Sequence, residues 1–284
     1  MNQQSKIRVA FQGSRGAYSE MALINFFDEK ACAVGFDLSE QVCESVRDGE
    51  CQFGILPVEN SIVGNIDVNV DLLFEHDVYI IGEYYLPIKH CLLAPQGIEL
   101  EAIKQVYSHP AALAQCRDFL NRYKLQAIPE FDTAGSCEKI LMEKTQDKAT
   151  IASGLCAEYY GLAILKQNIQ KVRNNVTRFF IFVRSDSVPD NIKAEKITMA
   201  FGAKHAPGSL IRCLQTFSTH GVNMTKLESR PVPENPFVYT FFVDLEGSPD
   251  SSSMQACMQD LKKEAQTIKI LGSYPIGKVP NSKA

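Results

Sequence analysis

The sequence lacks the segments that would place the chain in a membrane or send it out of the cell. Its apolar runs fall far short of the roughly 18 residues that a membrane-spanning helix needs. The N-terminal stretch becomes strand-like by Ile7, which leaves no room for the charged region, apolar core and cleavage site of a secretory signal. We therefore expect neither a membrane partner nor secretion.

The sequence also lacks the patterns of metal sites and nucleic-acid interfaces. Its nine cysteines are scattered and contain no CxxC pair, which disfavours a zinc site or a disulfide framework and favours reduced thiols in the cytoplasm. The five histidines stand apart with no ligand spacing. The formal net charge is −4 and no basic stripe is present, so we expect no nucleic-acid partner and a small molecule as ligand.

The residue pattern is that of a layered α/β protein with a second, smaller domain. Residues 6–184 alternate strand-like and helix-like segments, which predicts a largely parallel sheet. Residues 185–194 are polar and contain Pro189, so they are predicted to be a linker. Residues 195–275 follow the order βαββαβ of a ferredoxin-like fold, and residues 276–284 are predicted to be a flexible tail.

The predicted elements are short, as is usual for such folds. The predicted strands are 8–11, 53–58, 79–82, 90–94, 105–108, 149–152, 178–183, 196–202, 222–229, 238–245 and 268–274. The predicted helices are 18–27, 38–47, 68–75, 110–122, 134–144, 208–219 and 252–265.

Polar side chains and glycines follow several of the predicted strands. "FQGSRGAYSE" places Gly13 and Gly16 between a strand and a helix, where backbone N–H groups favour an anion. This segment is neither GxGxxG nor GxxxxGK, so it does not predict a nucleotide site. "ENS" at residues 59–61 and "NNVTRFF" at residues 174–180 add amides, hydroxyls and a guanidinium. "YSHPAAL" at residues 107–113 and "FDTAGS" at residues 131–136 repeat the pattern. Helix caps and a surface ion pair would also explain these side chains, but the five loops together favour one polar cleft suited to an anion.

The ordered set "GAYSE", "ENSIVGNI", "SHPAALAQC" and "NNVTRFF" resembles the prephenate dehydratase family, which includes the arogenate dehydratases. "GVNMTKLESRP" at residues 221–231 is similar to the phenylalanine-binding ACT domain that follows the catalytic domain in this family. The resemblance implies a catalytic domain at 6–184 with two α/β lobes around a cleft, like a periplasmic-type binding fold. It also implies a regulatory ACT domain at 195–275.

The implied reaction converts prephenate into phenylpyruvate with loss of carbon dioxide and water, without a cofactor or a metal. Thr177 matches the catalytic threonine, whose hydroxyl we assign to the leaving oxygen, and Arg178 would bind a substrate carboxylate. The remaining residues that the resemblance places in the catalytic cleft are Glu59, Asn60 and Ser61, with Ser14, Gly16, Ser108, Thr133 and Phe179 as substrate-binding residues.

The second domain is expected to bind L-phenylalanine as an inhibitor at an interface between subunits, which predicts a homodimer or a homotetramer. The residues implied in this effector site are Pro207, Gly208, Ser209, Leu210, Asn223, Met224 and Glu228. Two alternatives stay open. Asp132 stands where the family often has serine or threonine, so the substrate could be arogenate, and the chain could also be a non-catalytic amino-acid sensor.

Overall fold

The computed structural model describes residues 6–143, 146–232 and 235–280. The chain divides into two compact units. Unit 1 contains the described residues up to Val70, Tyr84–Phe179 and the described residues from Val279 onward, and unit 2 contains Asp71–Glu83 and Phe180–Lys278. The domain boundaries of the sequence analysis stay a prediction. The end of the predicted tail, residues 281–284, and the last residue of the predicted helix 134–144 lie outside the described residues.

Unit 1 alternates strands and helices. Its elements in chain order are β1 (Ile7–Gln12), α1 (Tyr18–Phe27), β2 (Ala31–Phe36), α2 (Ser39–Arg47), β3 (Phe53–Asn60), β4 (Gly64–Asn65), α3 (Asp67–Glu75), β5 (Val78–Pro87), β6 (Cys91–Ala94), β7 (Gln105–Ser108), α4 (Pro110–Gln115), α5 (Arg117–Arg122), β8 (Gln126–Pro129), α6 (Gly135–Glu143), β9 (Lys148–Ala152), α7 (Gly154–Tyr160), β10 (Ala163–Lys166) and β11 (Val176–Arg184). Parts of α3, β5 and β11 belong to unit 2.

Two sheets form the frame of unit 1. In the first, β1 pairs in parallel with both β2 and β3, and β11 lies next to β3. The second has the order β10-β6-β9-β7-β8, with parallel pairs around β7 and antiparallel pairs around β6. Leu92 and Leu93 of β6 belong to different buried clusters, because successive side chains of a strand point to opposite faces. Both faces of this sheet are therefore covered, and the two-lobed α/β prediction is confirmed.

Unit 2 has the βαββαβ order that the sequence predicts. Its elements are β12 (Lys196–Ala203), α8 (Ser209–Thr219), β13 (Asn223–Val232), β14 (Asn235–Glu246), α9 (Ser252–Glu264) and β15 (Ala265–Tyr274). The strand order is β13-β14-β12-β15, with antiparallel neighbours. The helices pack on the sheet through a core that includes Phe201, Phe217 and Leu261. The ferredoxin-like part of the predicted fold class is confirmed.

Several elements of unit 1 were not predicted. Strand β8 is mostly exposed and β10 alternates between half-buried and exposed residues, so neither carries a strong apolar signal. The predicted helix 110–122 is two helices, because the backbone at Cys116 has φ −102° and ψ 10° and ends α4. No helix in the described ranges is long and apolar enough to cross a membrane.

A buried cluster of charged groups stabilises unit 2. Lys196 Nζ lies 3.1 Å from Glu83 Oε2 and 3.8 Å from Asp244 Oδ2, and these side chains are 7%, 0% and 2% exposed. Thr198 donates a hydrogen bond of 2.6 Å to Asp244 Oδ1, and the Gly277 N–H donates one of 2.9 Å to Glu83 Oε1. Because one ammonium serves two carboxylates, its removal would leave two like charges buried close together.

Lys196→Met is therefore expected to lower the free energy of unfolding by about 3–5 kcal/mol, the usual cost of removing one partner from a buried ion pair. Thermal and denaturant unfolding measure this loss. The control is Lys263→Met, because the Lys263 ammonium is 72% exposed and pairs with Asp260 at the surface. That change is expected to cost little, and equal losses in the two variants would contradict the assignment.

Candidate active site

The candidate site begins where the end of β3 meets the start of β11. The Ser61 N–H donates a hydrogen bond of 2.9 Å to the carbonyl of Val176, and the Val176 N–H donates one of 3.0 Å to Ser61 Oγ. Next to this junction, Asn60 Nδ2 lies 2.9 Å from Thr177 Oγ1. The "ENS" and "TRF" segments, 115 or more residues apart in the chain, thus lie side by side.

Strand geometry separates the predicted catalytic residues into two groups. Thr177 and Phe179 both line a cavity of about 310 Å³, since residues two apart on a strand share a face. Arg178 lies between them and is not among the residues that line the cavity. Its guanidinium is 3.6 Å from Glu59 Oε2 and 6.0 Å from the centre of the Tyr85 ring. Of the five predicted catalytic residues, Asn60 and Thr177 are the two that line the cavity.

The orientation of the Asn60 side chain is fixed by the backbone. Its Oδ1 accepts hydrogen bonds of 3.0 Å from the N–H groups of Ile62 and Val63. Its Nδ2 must therefore be the donor to Thr177 Oγ1 and, at 2.8 Å, to Asn175 Oδ1. Because Thr177 Oγ1 accepts this hydrogen, the hydrogen of the threonine hydroxyl is available to a ligand in the cavity.

Four residues that the sequence analysis did not assign extend this arrangement. Asn175 Nδ2 donates to Gln115 Oε1 at 2.9 Å, and His90 Nε2 lies 2.8 Å from the same oxygen. The Tyr18 hydroxyl oxygen lies 2.8 Å from His90 Nδ1. Tyr18, Gln115 and Asn175 stand inside the motifs that carry the resemblance, so their place in those motifs was the available signal. His90 stands alone in the sequence and gave none.

A second cavity, of about 360 Å³, adjoins the first. Tyr18, Ser19, His109 and Thr133 line both cavities, so the two form one cleft. No lysine or arginine is among the described residues that line either cavity. The cleft instead presents hydroxyls, amides and imidazoles together with the Asp132 carboxylate, and its hydroxyls and amides can bind a polar ligand as uncharged hydrogen-bond donors.

The remaining predicted substrate-binding residues have structural contacts. Ser108 is fully buried and donates a hydrogen bond of 2.6 Å to the carbonyl of Ile151. Ser14 donates one of 3.0 Å to Asp132 Oδ2, and Asp132 lines the second cavity. Gly16 has φ +88°, and a Cβ there would lie 2.6 Å from Cys156 Sγ, so a glycine is required at this turn. Of the five predicted substrate-binding residues, Thr133 and Phe179 line the cleft.

Burial dominates the electrostatics of the cleft. It raises the pKa of the Tyr18 phenol well above its usual range. It lowers the pKa of His90, and the hydrogen bond to Gln115 opposes that shift. Within the described ranges, no group of three or more histidine, cysteine, aspartate or glutamate side chains could hold a metal ion.

A separate cavity of about 410 Å³ lies in unit 2. Two of the seven predicted effector residues, Pro207 and Leu210, line it, together with Tyr239 and Phe241. The other predicted residues have contacts of their own. Gly208 has φ +76°, Ser209 accepts a hydrogen bond from Arg212, Asn223 donates one to Glu246, Met224 packs on the core, and Glu228 pairs with Lys226 and Arg230.

Comparison with known proteins relates the chain to dehydratases. The family model described as prephenate dehydratase matches residues 9–187. The chloroplastic arogenate dehydratase/prephenate dehydratase 2 of Arabidopsis thaliana is 37% identical over 281 residues, which are 96% of this chain and 74% of that protein. The bifunctional chorismate mutase/prephenate dehydratase of Aquifex aeolicus is also 37% identical, over 96% of this chain and 74% of its own length.

Solved structures show the same similarity. The prephenate dehydratase of Arthrobacter aurescens, in complex with L-Phe, has a TM-score of 0.86 at 29% identity and covers 95% of this chain and 90% of its own. GqqA, described as a novel type of quorum quenching acylase, has a TM-score of 0.87 at 32% identity and covers 94% of this chain and 97% of its own. On these matches, the chain belongs to the prephenate dehydratase family.

Proposed function

We propose that the chain is a prephenate dehydratase, which converts prephenate into phenylpyruvate with loss of carbon dioxide and water on the route to L-phenylalanine. The observation that carries the proposal is the hydrogen bond that Thr177 Oγ1 accepts at the wall of the cavity. The donor is Asn60, so the hydrogen of the Thr177 hydroxyl is free to meet a ligand. A donor held in place for a departing oxygen is the group that this reaction needs.

The reaction couples two bond cleavages across one ring. The bond between the ring and its carboxylate breaks to give carbon dioxide, and its electron pair enters the ring. The carbon–oxygen bond at the opposite carbon breaks, and the oxygen leaves as hydroxide, which becomes water on protonation by solvent. Aromatisation supplies the driving force, so the protein has to orient the substrate and stabilise the departing oxygen. Thr177 supplies that stabilisation through a hydrogen bond, because its hydroxyl is too weak an acid to donate a free proton at neutral pH.

The walls of the cleft suit an apolar ring with polar ends. Phe179 and Ile88 line the cavity and are 1% and 5% exposed, so they offer an apolar wall. Ser19 and Thr133 offer hydroxyls at the shared part of the two cavities. Direct carboxylate binding by Arg178 has the least geometric support, because its guanidinium pairs with Glu59 and lies away from the residues that line the cleft.

Arogenate dehydratase is the second candidate, and Asp132 is the observation that favours it. Arogenate carries an ammonium group where prephenate has a ketone, and a carboxylate on the wall of the cleft would attract it. Asp132 is half-buried and accepts hydrogen bonds from Ser14 Oγ and the Gly135 N–H. These bonds hold the carboxylate in place while it borders the second cavity.

The acylase name of one solved relative finds less support in the cleft. A hydroxyl nucleophile needs an adjacent general base to take its proton. The described partner of Thr177 Oγ1 is the amide nitrogen of Asn60, which is a donor and cannot accept a proton. The same arrangement gives less support to a non-catalytic sensor, since Thr177 lines the cavity and its oxygen accepts from Asn60, which leaves its own hydrogen for a departing oxygen.

We also propose that unit 2 is an ACT domain that binds L-phenylalanine as a feedback inhibitor. Its cavity is lined by Pro207, Leu210 and aromatic side chains, which suit a free aromatic amino acid. The relative from Arthrobacter aurescens, solved in complex with L-Phe, supports this proposal. An effector at an interface between subunits would require a homodimer or a homotetramer, and linkage requires that phenylalanine favour a less active state.

The first test is an assay of the purified protein with prephenate and, separately, arogenate, each with and without L-phenylalanine. Prephenate is expected to give phenylpyruvate faster than arogenate gives phenylalanine, and added L-phenylalanine is expected to suppress the reaction. Faster turnover of arogenate would show that the chain is an arogenate dehydratase instead. An absence of product from both substrates would remove the dehydratase proposal.

The second test replaces the hydroxyl of Thr177. Thr177→Val keeps the side-chain volume and removes the hydrogen bond to the departing oxygen, so kcat is expected to fall by about 10²–10³-fold, the usual effect of losing one such donor. KM is expected to change less, because the bond strengthens in the transition state. Thr177→Ser is the matched control and should retain much of the activity. An unchanged kcat in the valine variant would exclude Thr177 from the mechanism.

The third test concerns the effector. Asn223 is not among the described residues that line the unit 2 cavity and donates to Glu246, so its predicted contact with L-phenylalanine belongs to the proposed site at a subunit interface. Asn223→Ala is expected to raise the L-phenylalanine concentration for half-inhibition by about tenfold or more, since one hydrogen bond to a charged group contributes about 1.5–3 kcal/mol. Ser229→Ala is the control, because Ser229 is an exposed residue of the same strand. The half-inhibition concentration is read from the phenylpyruvate assay. A shift of similar size in both variants would contradict the predicted role of Asn223.

A further inference from the structure

A row of amides transmits orientation from the backbone to His90. The N–H groups of Ile62 and Val63 fix Asn60 with Oδ1 as acceptor and Nδ2 as donor. Asn60 Nδ2 donates to Asn175 Oδ1, so Asn175 Nδ2 is also fixed as a donor. It donates to Gln115 Oε1, and none of these amides can flip without losing a hydrogen bond.

The end of this row determines where His90 carries its hydrogen. Gln115 Oε1 is an acceptor and lies 2.8 Å from His90 Nε2, so Nε2 must carry a hydrogen. Two states of the ring satisfy this condition. In the neutral ring, Nδ1 accepts the hydrogen of the Tyr18 hydroxyl. In the protonated ring, Nδ1 donates to the Tyr18 oxygen, and the Tyr18 hydrogen turns to the carbonyl of Lys89, 3.0 Å away.

The protonated ring therefore loses no hydrogen bond and gains one. Burial disfavours the charge and lowers the pKa of His90, so the ring is neutral in the free protein at neutral pH. A negative ligand beside the ring would reverse this balance. The cavity of about 310 Å³ has no lysine, arginine, aspartate or glutamate among its described lining residues, while His90 and His109 both line it. The Asp132 carboxylate borders the adjoining cavity instead.

We propose that His90 is the counter-charge of the cleft: it is neutral in the free protein, with its hydrogen on Nε2, and takes up a proton on Nδ1 when a dicarboxylate substrate binds. This inference rests on the proposed dehydratase function for the identity of the substrate. The proton comes from solvent, and no bond to the substrate is made or broken in this step. The substrate class that fits is a ring with two carboxylates, because its charge is what favours the imidazolium.

The other ionisable groups around the ring do not supply this charge. The Tyr18 phenol of α1, the Cys91 thiol of β6 and the Cys116 thiol at the end of α4 all have pKa values raised by burial, so they are neutral near pH 7. His109 lies in the same cavity, and its Nδ1 accepts the Ala111 N–H at 3.2 Å. The cations on the neighbouring segments are exposed and lie outside the lining of the cavity: Lys89, Lys171 and Arg173.

The pH dependence of kcat/KM for prephenate tests the proposal between about pH 6 and pH 9, the window that brackets an ordinary histidine. Between the pKa of His90 in the free protein and that in the complex, kcat/KM is expected to fall about tenfold per pH unit. His90→Gln keeps a donor to Gln115 but cannot be protonated. The plot of kcat/KM against pH for His90→Gln is expected to be flat and to reach the value of the unmodified protein at the alkaline end. A purely structural defect would instead lower kcat/KM by the same factor at every pH.

His109→Asn is the matched control, because asparagine also caps a helix start and the variant leaves His90 and its hydrogen-bond partners unchanged. It is expected to keep the pH dependence. Loss of the dependence in His109→Asn, or its persistence in His90→Gln, would overturn the proposal. Either result would leave the dehydratase assignment intact if prephenate is turned over.

Nitrogen-15 NMR of the histidine rings provides a test that does not need turnover or the His90 variant. In Thr177→Val at about pH 7.5, above an ordinary histidine pKa, prephenate is expected to convert the His90 Nδ1 signal from unprotonated to protonated. A signal that stays unprotonated at saturating prephenate, or no response to prephenate, would overturn the inference. If the unmodified protein does not turn prephenate over but His90 becomes protonated when prephenate binds, the dehydratase proposal is wrong and the proposed role of His90 as counter-charge stands.

Discussion

The two backbone hydrogen bonds to Asn60 Oδ1 are the constraint on which the rest of the cleft depends. An asparagine amide has two orientations of nearly equal shape, and its neighbours normally choose between them. Here the choice is made by the N–H groups of Ile62 and Val63, which cannot rotate. Because Asn60 is fixed in this way, each following hydrogen bond, from the one at the Thr177 hydroxyl to the one at the His90 ring, has a fixed donor and a fixed acceptor. The site is therefore organised before a ligand arrives, which is the condition for effective electrostatic stabilisation.

The alternation of β3 and β11 explains why neighbouring motif residues have different surroundings. Asn60 and Thr177 line the cavity, while Glu59 and Arg178, one position away on each strand, form their own ion pair. The pair is asymmetric, with side chains 42% and 5% exposed respectively, so the guanidinium is largely desolvated. An ion pair in that position restrains the two strands at the point where they carry the reactive amide and hydroxyl.

The sequence was sufficient to predict the fold class, because long periodic segments are local signals. That Asn60 and Thr177 share a cleft was implied by the family resemblance of the ordered motifs, since the two residues are 117 positions apart. The sequence could not show that Arg178 is not among the residues that line the cavity. Alternation along a strand places Arg178 on the opposite face from Thr177 and Phe179, but it does not say which face borders the ligand. Ser108 was assigned to the cleft from its motif, although it donates to a backbone carbonyl within the sheet. His90 was missed because its role depends on partners at positions 18 and 115, which no spacing in the sequence connects. Weak strands such as β8 were missed because an exposed edge carries little apolar pattern.

The ion pair between Glu83 and Lys196 joins residues that are 113 positions apart, and it has a consequence for how the chain can be made and divided. Residues 71–83 of unit 2 are synthesised before most of unit 1. During translation they therefore cannot form their contacts with the rest of unit 2, residues 180–278, until those residues leave the ribosome. Such long-range closure slows folding. A fragment that starts at the polar segment near residue 185 would carry Lys196 without Glu83. The polar segment near residue 185 is therefore not a position at which an independently stable fragment begins.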